Sequence, residues 1–200
     1  EADLALEFGC ARATVNRALR GLAEEGLLTR QRRAGTRVAL TPVRHARFEI
    51  PVLRSEIEGR GHRFAFAILK RESRVPPPDL RARLQTGPQE ALLHLETLYT
   101  ADGAPHAFED RWINLGAVPP IDPQTFSVLS PNEWLVREVP FDGGDFTFSA
   151  LAASARQAQL LGCQPGQGLL VMDRSTRYGP AVVTSVRLIF HAGYRMHTQI

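Results

Sequence analysis

The side chains able to do chemistry in this sequence fall into two groups. The first is Arg12, Thr14, Asn16 and Arg17, four polar residues within six positions. Guanidinium and hydroxyl groups near a helix N-terminus suit phosphate oxygens, and Arg or Asn on a projecting helix can read base edges in a major groove. This assigns Thr14 to a phosphate, Asn16 to a base edge, and Arg12 and Arg17 to either. Arg32, Arg33, Gly35 and Arg37 follow in a short charged hairpin, from which the arginines can reach a groove or its flanking phosphates. The plain alternative for each is a solvated charged surface. In the second group, period-two alternation puts Glu109 and Arg111 on one strand face and Asp110 and Trp112 on the other. Glu109 can accept a hydrogen bond and Arg111 can hold an anion, unless the two form a structural ion pair.

Other candidates stay open in the same way. Ser130, Asn132 and Trp134 begin a helical segment whose amides either receive an anion or only cap the helix. His94 is a ligand contact or a satisfied core histidine, and Tyr194 has the same two readings. A nucleophile–base pair and metal-ligand spacing are both missing from the pattern, so catalysis, a metal and a cofactor are not expected. The two cysteines, Cys10 and Cys163, read as small buried apolar residues.

The first group needs a helix-turn-helix and a hairpin to position it. Leu4, Ala5 and Phe8 keep helical spacing up to Gly9, and Val15, Ala18, Leu19 and Leu22 put one apolar face on a helix over 11–25. Gly26 then caps it, and strands over 27–30 and 36–39 flank residues 32–35. The chain opens at Glu1, inside a helical pattern, so a preceding helix is expected to be missing. Pro42 and scattered charge over 40–50 suggest a linker, which divides the chain into residues 1–43 and 44–200.

Beyond the linker the pattern is α+β. Strands are expected over 63–70, 91–100, 106–114, 145–150, 169–177 and 182–190, with helices over 52–59, 78–84, 131–138 and 152–161. A weak internal repeat relates 80–103 to 158–179: helix, glycine turn, strand, hairpin, strand. Two such units predict one antiparallel sheet with pseudo-twofold symmetry and a cleft where the halves meet. Aligning the turn glycines matches Glu109 and Arg111 with Ser185 and Arg187, whereas aligning Pro105 with Pro180 matches them with Thr184 and Val186. Thr184 and Arg187 are therefore both candidates for the other side of a clamp.

Charge supports the division. Up to Arg47 there are nine Lys/Arg against five Asp/Glu, and the remaining 15 against 16 leave the basic excess at the N-terminal end. No apolar run approaches the roughly 18 to 20 residues that span a bilayer, and no signal sequence opens the chain, so a cytoplasmic protein without a membrane partner is expected.

The stretch from Glu1 to Leu28, followed by Gly35-Thr-Arg-Val38, resembles the winged helix of the GntR family of bacterial repressors. That family usually has Val and Ser where Cys10 and Ala11 stand, so the helix here lacks its N-cap hydroxyl. The remainder resembles the UTRA effector-binding domain of the HutC subfamily, which has a chorismate lyase-like fold. The resemblance rests on Gly59-Arg-Gly-His62, Asp102-Gly-Ala-Pro105, Phe108-Glu-Asp-Arg-Trp-Ile-Asn114, Ser130-Pro-Asn-Glu-Trp-Leu135, Ala158-Gln-Leu-Leu-Gly162 and Val183-Thr-Ser-Val-Arg-Leu188. It implies a homodimeric repressor on double-stranded operator DNA, released by a small anionic metabolite. The Glu109 to Asn114 and Pro131 to Trp134 motifs look most like repressors of histidine utilisation, whose inducer is urocanate. In that case Glu109 would accept from the imidazole and Arg111 hold the carboxylate. A sugar phosphate is the alternative ligand, and a lyase-like enzyme the remote alternative function.

Overall fold

Gly9, at φ 59°, gives the left-handed turn that joins the helix Ala2–Glu7 (α1) to the helix Arg12–Glu24 (α2). The structure is a computed structural model that describes residues 2–24, 27–31, 35–38, 52–122 and 124–197. Strands Leu28–Gln31 (β1) and Gly35–Val38 (β2) pair antiparallel, from Leu28 opposite Val38 to Gln31 opposite Gly35. The helix–turn–helix and hairpin follow the expected order, each strand displaced by one residue. Of the four apolar residues expected on one buried face of α2, Val15 is buried and Leu19 half-buried, but Ala18 and Leu22 are exposed. The described elements of this unit, two short helices and a hairpin of two four-residue strands, have too little area to cover the whole stripe.

The chain divides into two compact units, Glu1–Glu49 and Ile50–His197. The division expected between residues 43 and 44 lies outside the described residues.

The second unit is built on helices Leu53–Gly59 (α3) and Pro78–Leu84 (α4), strands Phe64–Arg74 (β3), Leu92–Ala101 (β4) and Ala104–Ile113 (β5), helices Thr125–Val128 (α5) and Pro131–Glu138 (α6), strand Gly143–Ala152 (β6), helix Ala155–Leu161 (α7), and strands Gly168–Tyr178 (β7) and Ala181–Phe190 (β8). Among the described residues the six strands form one antiparallel sheet in the order β3-β4-β5-β8-β7-β6. The internal repeat is therefore a pseudo-twofold: α4–β4–β5 and α7–β7–β8 are equivalent, and β5 meets β8 at the axis.

Local chemistry explains where these elements start and stop. Asp102 and Gly103 have φ of 52° and 82°, which makes the β4–β5 connection a two-residue hairpin turn of the primed type. Ser154 and Gln157 form a capping box, so α7 starts at Ala155 and residue 152 stays in β6. The polar run 71–74 was not expected in β3. It is held there by pairing with β4, where Arg71 to Arg74 lie opposite Leu95 to Leu92.

Both faces of the sheet are covered. Leu53 and Ile57 of α3 pack with Tyr99, Leu188 and Phe190, and Trp134 and Leu135 of α6 pack with Leu93, Leu95 and Ile113. On the opposite face Leu80 and Leu84 of α4 meet Leu92 and Trp112, while Ala158 and Leu161 of α7 meet Phe108, Val171 and Ile189. The central strands β4, β5 and β8 are buried on both sides along most of their length, polar residues included, whereas the edge strand β6 stays largely exposed. Leu188 is 0% exposed at the centre of this core. Leu188→Ala should lower the unfolding free energy by about 2 to 5 kcal/mol, read from urea denaturation by the fluorescence of Trp112 and Trp134. Leu69→Ala, at an exposed position on β3, should stay within about 0.5 kcal/mol of the parent.

Candidate functional site

In the first unit, Arg12, Thr14 and Arg17 are exposed and Asn16 is half-buried, all in the first two turns of α2. At 3.6 residues per turn Thr14 and Arg17 project away from the Val15–Leu19 side, Asn16 lies at its flank, and Arg12, three residues before Val15, stands on the same side at the start of the helix. The helix starts after Ala11, whose carbonyl accepts from Thr14 and Val15, with no hydroxyl in the cap position. Gly35, at φ 77°, and Arg37 are exposed on β2, while Arg32 and Arg33 lie outside the described residues. A polar helix face and an arginine-bearing strand are thus offered to solvent.

In the second unit the charged chemistry is buried. Glu109 and Arg111 are both 0% exposed and bind each other bidentately, Nε donating to Oε1 at 2.7 Å and Nη2 to Oε2 at 2.6 Å. Burial works against the Arg111 charge, but Glu109 outweighs it and leaves the guanidinium pKa raised. Arg111 lies directly opposite Val186, which resolves the register: Thr184 shares its face and accepts from Arg111 Nη1 at 3.4 Å.

A second guanidinium lies one strand further on. Arg174 of β7 pairs with Val186, so it faces the same side as Arg111. It is 3% exposed, and its Nε and Nη1 have no hydrogen-bond partner. Its Cζ lies 5.7 Å from the centre of the Phe146 ring. Burial first, and then the like charge of Arg111, push its pKa down to about 9. Guanidinium holds its proton tenaciously, so an arriving anion relieves this environment more readily than deprotonation does.

Other unsatisfied groups belong to the same layer. The hydroxyls of Thr97 and Tyr99, and both amide atoms of Asn132, are buried without a hydrogen bond. Thr97 is paired with Glu109, and burial together with the Glu109 charge keeps the Tyr99 phenol protonated with its pKa well above the usual value. Each buried unsatisfied polar group costs about 1 to 3 kcal/mol, so their concentration on one face marks a place built for something polar. Asn132 sits in the first turn of α6, which is fixed by a Ser130–Glu133 capping box. Glu133, 2% exposed, is held in turn by Arg54 of α3, with Nε donating to Oε1 at 2.6 Å. Between Arg111, Arg174 and Thr184 below and Leu135, Val139 and Phe141 above there is a cavity of only about 20 Å³, room for roughly one water.

The structure does not bring every expected ligand residue here. His94 and Arg187 lie on the opposite face because strand alternation puts them with Asp110 and Trp112. His94 stacks on Trp112 at 4.3 Å between Glu72 and Asp110, and Arg187 is bidentate to Asp173. Trp134 is on the site-bearing helix, but its ring packs edge-on against Phe126 in the core. Tyr194 stacks on Phe190 and donates to Glu56 at 2.8 Å, within the α3 cluster. Ser130 serves as the cap, and Cys10 and Cys163 are half-buried free thiols rather than buried ones. Sequence reasoning missed Arg174, Tyr99 and Thr97. Arg174 carried a signal, since Leu170, Met172, Arg174 and Thr176 alternate onto one face and the arginine breaks an apolar stripe. Tyr99 and Thr97 carried none.

Two neighbouring arginines should respond oppositely in unliganded protein. Arg174→Leu removes a buried cation without a carboxylate partner, and should raise stability by about 1 kcal/mol or more. Arg111→Leu strands Glu109, and should lower it by about 3 to 5 kcal/mol. Thermal unfolding in buffer free of small carboxylates measures both.

Comparison with known proteins agrees with this architecture. The UTRA domain matches residues 59–197, and the family described as bacterial regulatory proteins, gntR family, matches residues 1–38. The histidine utilization repressor of Pseudomonas aeruginosa is 31% identical over 195 residues, covering 98% of this chain and 78% of the relative. That of Klebsiella aerogenes is 30% identical over 190 residues, covering 95% and 79%. Among solved structures, the C-terminal domain of the histidine utilization repressor from Pseudomonas syringae shares the fold with a TM-score of 0.63 at 24% identity, over 69% of this chain and 99% of that one. PhnF from Mycobacterium smegmatis does so with a TM-score of 0.58 at 20% identity, over 99% and 90%. A basic helix–turn–helix with a hairpin, joined to an α+β domain with an unsatisfied buried site, therefore belongs to the GntR family of bacterial regulatory proteins in its HutC branch, as a DNA-binding transcriptional repressor with a UTRA domain that takes a small-molecule effector.

Proposed function

We propose that this repressor controls histidine-utilisation genes and that urocanate is its inducer, bound on the α3–α6 face of the sheet. The observation that carries the reading is Arg174, a buried guanidinium with two unpartnered N–H-bearing nitrogens. A carboxylate is the complement it lacks. Arg111, expected to hold that carboxylate, is engaged by Glu109, so Arg174 takes the role and the Arg111–Glu109 pair frames it. The imidazole then meets Tyr99, Thr97 and Asn132, which together donate and accept, as a neutral ring requires. A sugar phosphate, the alternative, is dianionic near neutrality and calls for a second unengaged cation, which Arg111 does not supply.

The small cavity means that a ligand of this size must displace α6 or the segment around Phe141. Glu133 ties α6 to Arg54 of α3, the first described element after the segment that joins the two units. Displacing α6 thus acts on the helix that follows the joining segment. Ligand weakens operator binding only if it prefers the conformation in which two winged helices are badly spaced for successive major grooves. The reading therefore includes a cytoplasmic homodimer on a pseudo-palindromic operator, divided near residue 43, with Arg12, Thr14, Asn16, Arg17, Arg32, Arg33, Gly35 and Arg37 at the DNA.

Titration calorimetry with urocanate, and with glucosamine 6-phosphate as comparator, tests the ligand. Saturable urocanate binding that weakens about a hundredfold or more in Arg174→Leu is expected. Preference for the sugar phosphate, or no heat with urocanate, would remove the assignment and leave the repressor standing. On the DNA side, Asn16→Ala should cost about 1 to 3 kcal/mol on the operator and relax specificity, while Thr14→Ala should weaken all sequences alike. Fluorescence anisotropy on operator and scrambled duplexes separates the two effects.

A further inference from the structure

A roomier cavity than the Arg174 one is on the other side of the sheet. It is a cleft of about 370 Å³ beside α4, over the pseudo-twofold junction of β5 and β8. That volume is in the range of small-molecule sites, whereas the Arg174 cavity holds little more than a water. The two also differ in charge. The buried arginine site has two guanidinium groups against one carboxylate. The cleft is lined by four cations, Lys70, Arg74, Arg83 and Arg187, and four carboxylates, Asp79, Glu96, Asp110 and Asp173.

Most of these charges are already engaged with one another. Arg187 holds Asp173, Lys70 and Arg74 hold Glu72, Arg156 holds Glu96, and His94 holds Asp110. Asp79 and Arg83 of α4 have no ion-pair or hydrogen-bond partner among the described residues. They are one helical turn apart, so an ammonium and a carboxylate borne on one carbon of a ligand can meet both. Below them the floor presents the carboxylates of Asp110 and Asp173, and Ser185, a buried residue whose hydroxyl makes no hydrogen bond among the described residues. Carboxylate lone pairs left on such a floor accept from N–H donors.

We propose that this cleft is a second small-molecule site, separate from the urocanate site, for a zwitterionic amino acid whose side chain carries N–H donors. Asp79 takes the ammonium, Arg83 the carboxylate, and Asp110, Asp173 and Ser185 the side chain. A simple anion gains nothing in a cleft whose charges balance, so the two faces sort ligands by charge: an anion on one, a zwitterion on the other.

The test is titration calorimetry of the full chain with L-histidine as probe, with L-leucine and L-histidine methyl ester as controls. Saturable L-histidine binding is expected, undiminished by excess urocanate and by Arg174→Leu. It should weaken at least about tenfold in Asp79→Ala/Arg83→Ala, for the methyl ester and for L-leucine, as the loss of one or two charged hydrogen bonds predicts. Both substituted residues are exposed on α4, and circular dichroism confirms that the variant is folded. Absence of saturable heat, competition by urocanate, or loss in Arg174→Leu with retention in the α4 variant would each overturn the second site. Failure of urocanate to bind bears on the proposed inducer and leaves this outcome readable.

Discussion

Two guanidinium groups lie beside a single carboxylate inside this sheet, and most of what is distinctive in the second unit follows from that imbalance. Arg111 and Glu109 neutralise each other with good geometry, which makes a buried pair tolerable. Arg174, next to them in the same layer, lacks that relief. The apolar clusters on both faces must offset its desolvation, so the unliganded domain is less stable than its packing alone would make it. A bound anion contributes charge neutralisation and satisfied donors together, and a low-dielectric surrounding strengthens both. A site that is unfavourable when empty is one way to give a small ligand a large effect on conformation.

The scaffold explains how this imbalance is held. In a pseudo-twofold sheet the central strands β5 and β8 are covered on both faces, so side chains that alternate along them are buried in either direction. Chemistry is thereby available on two faces a strand's thickness apart: Glu109 and Arg111 point one way, Asp110 and Trp112 the other. The helices differ accordingly. α6, with its capping box and the Glu133–Arg54 pair, closes tightly over one face, whereas α4 stands beside an open polar cleft on the other.

The sequence made much of this legible. The apolar runs over 91–100 and 182–190, together with the turn glycines, were enough for the strands and for the repeat, because hairpin turns and strand preference are local effects. Helices α4 and α6 were legible from Pro78, Pro131 and Ser130, which set N-termini through fixed φ and capping. What could not be read depends on pairing between distant strands. The β5–β8 register, with Arg111 opposite Val186, decides that Thr184 joins the buried site and that Arg187 does not, and the β4–β5 register, with His94 opposite Trp112, keeps His94 out of it. Arg174 lies 63 residues from Arg111 in sequence, and its likeness to any exposed arginine ends only when β7 is laid beside β8. The polar end of β3 was hidden for the same reason, since its place in the sheet comes from its neighbour.

The central claim, that the unpaired buried cation of the α3–α6 face is the anion-binding group, is tested most directly by a crystal structure of the chain with urocanate. The account predicts the carboxylate within hydrogen-bonding distance of the Arg174 guanidinium, the Arg111–Glu109 pair intact, and α6 displaced from its closed position. A carboxylate seated on the opposite face beside Arg187, or an Arg174 that stays unpartnered with ligand bound elsewhere, would contradict it.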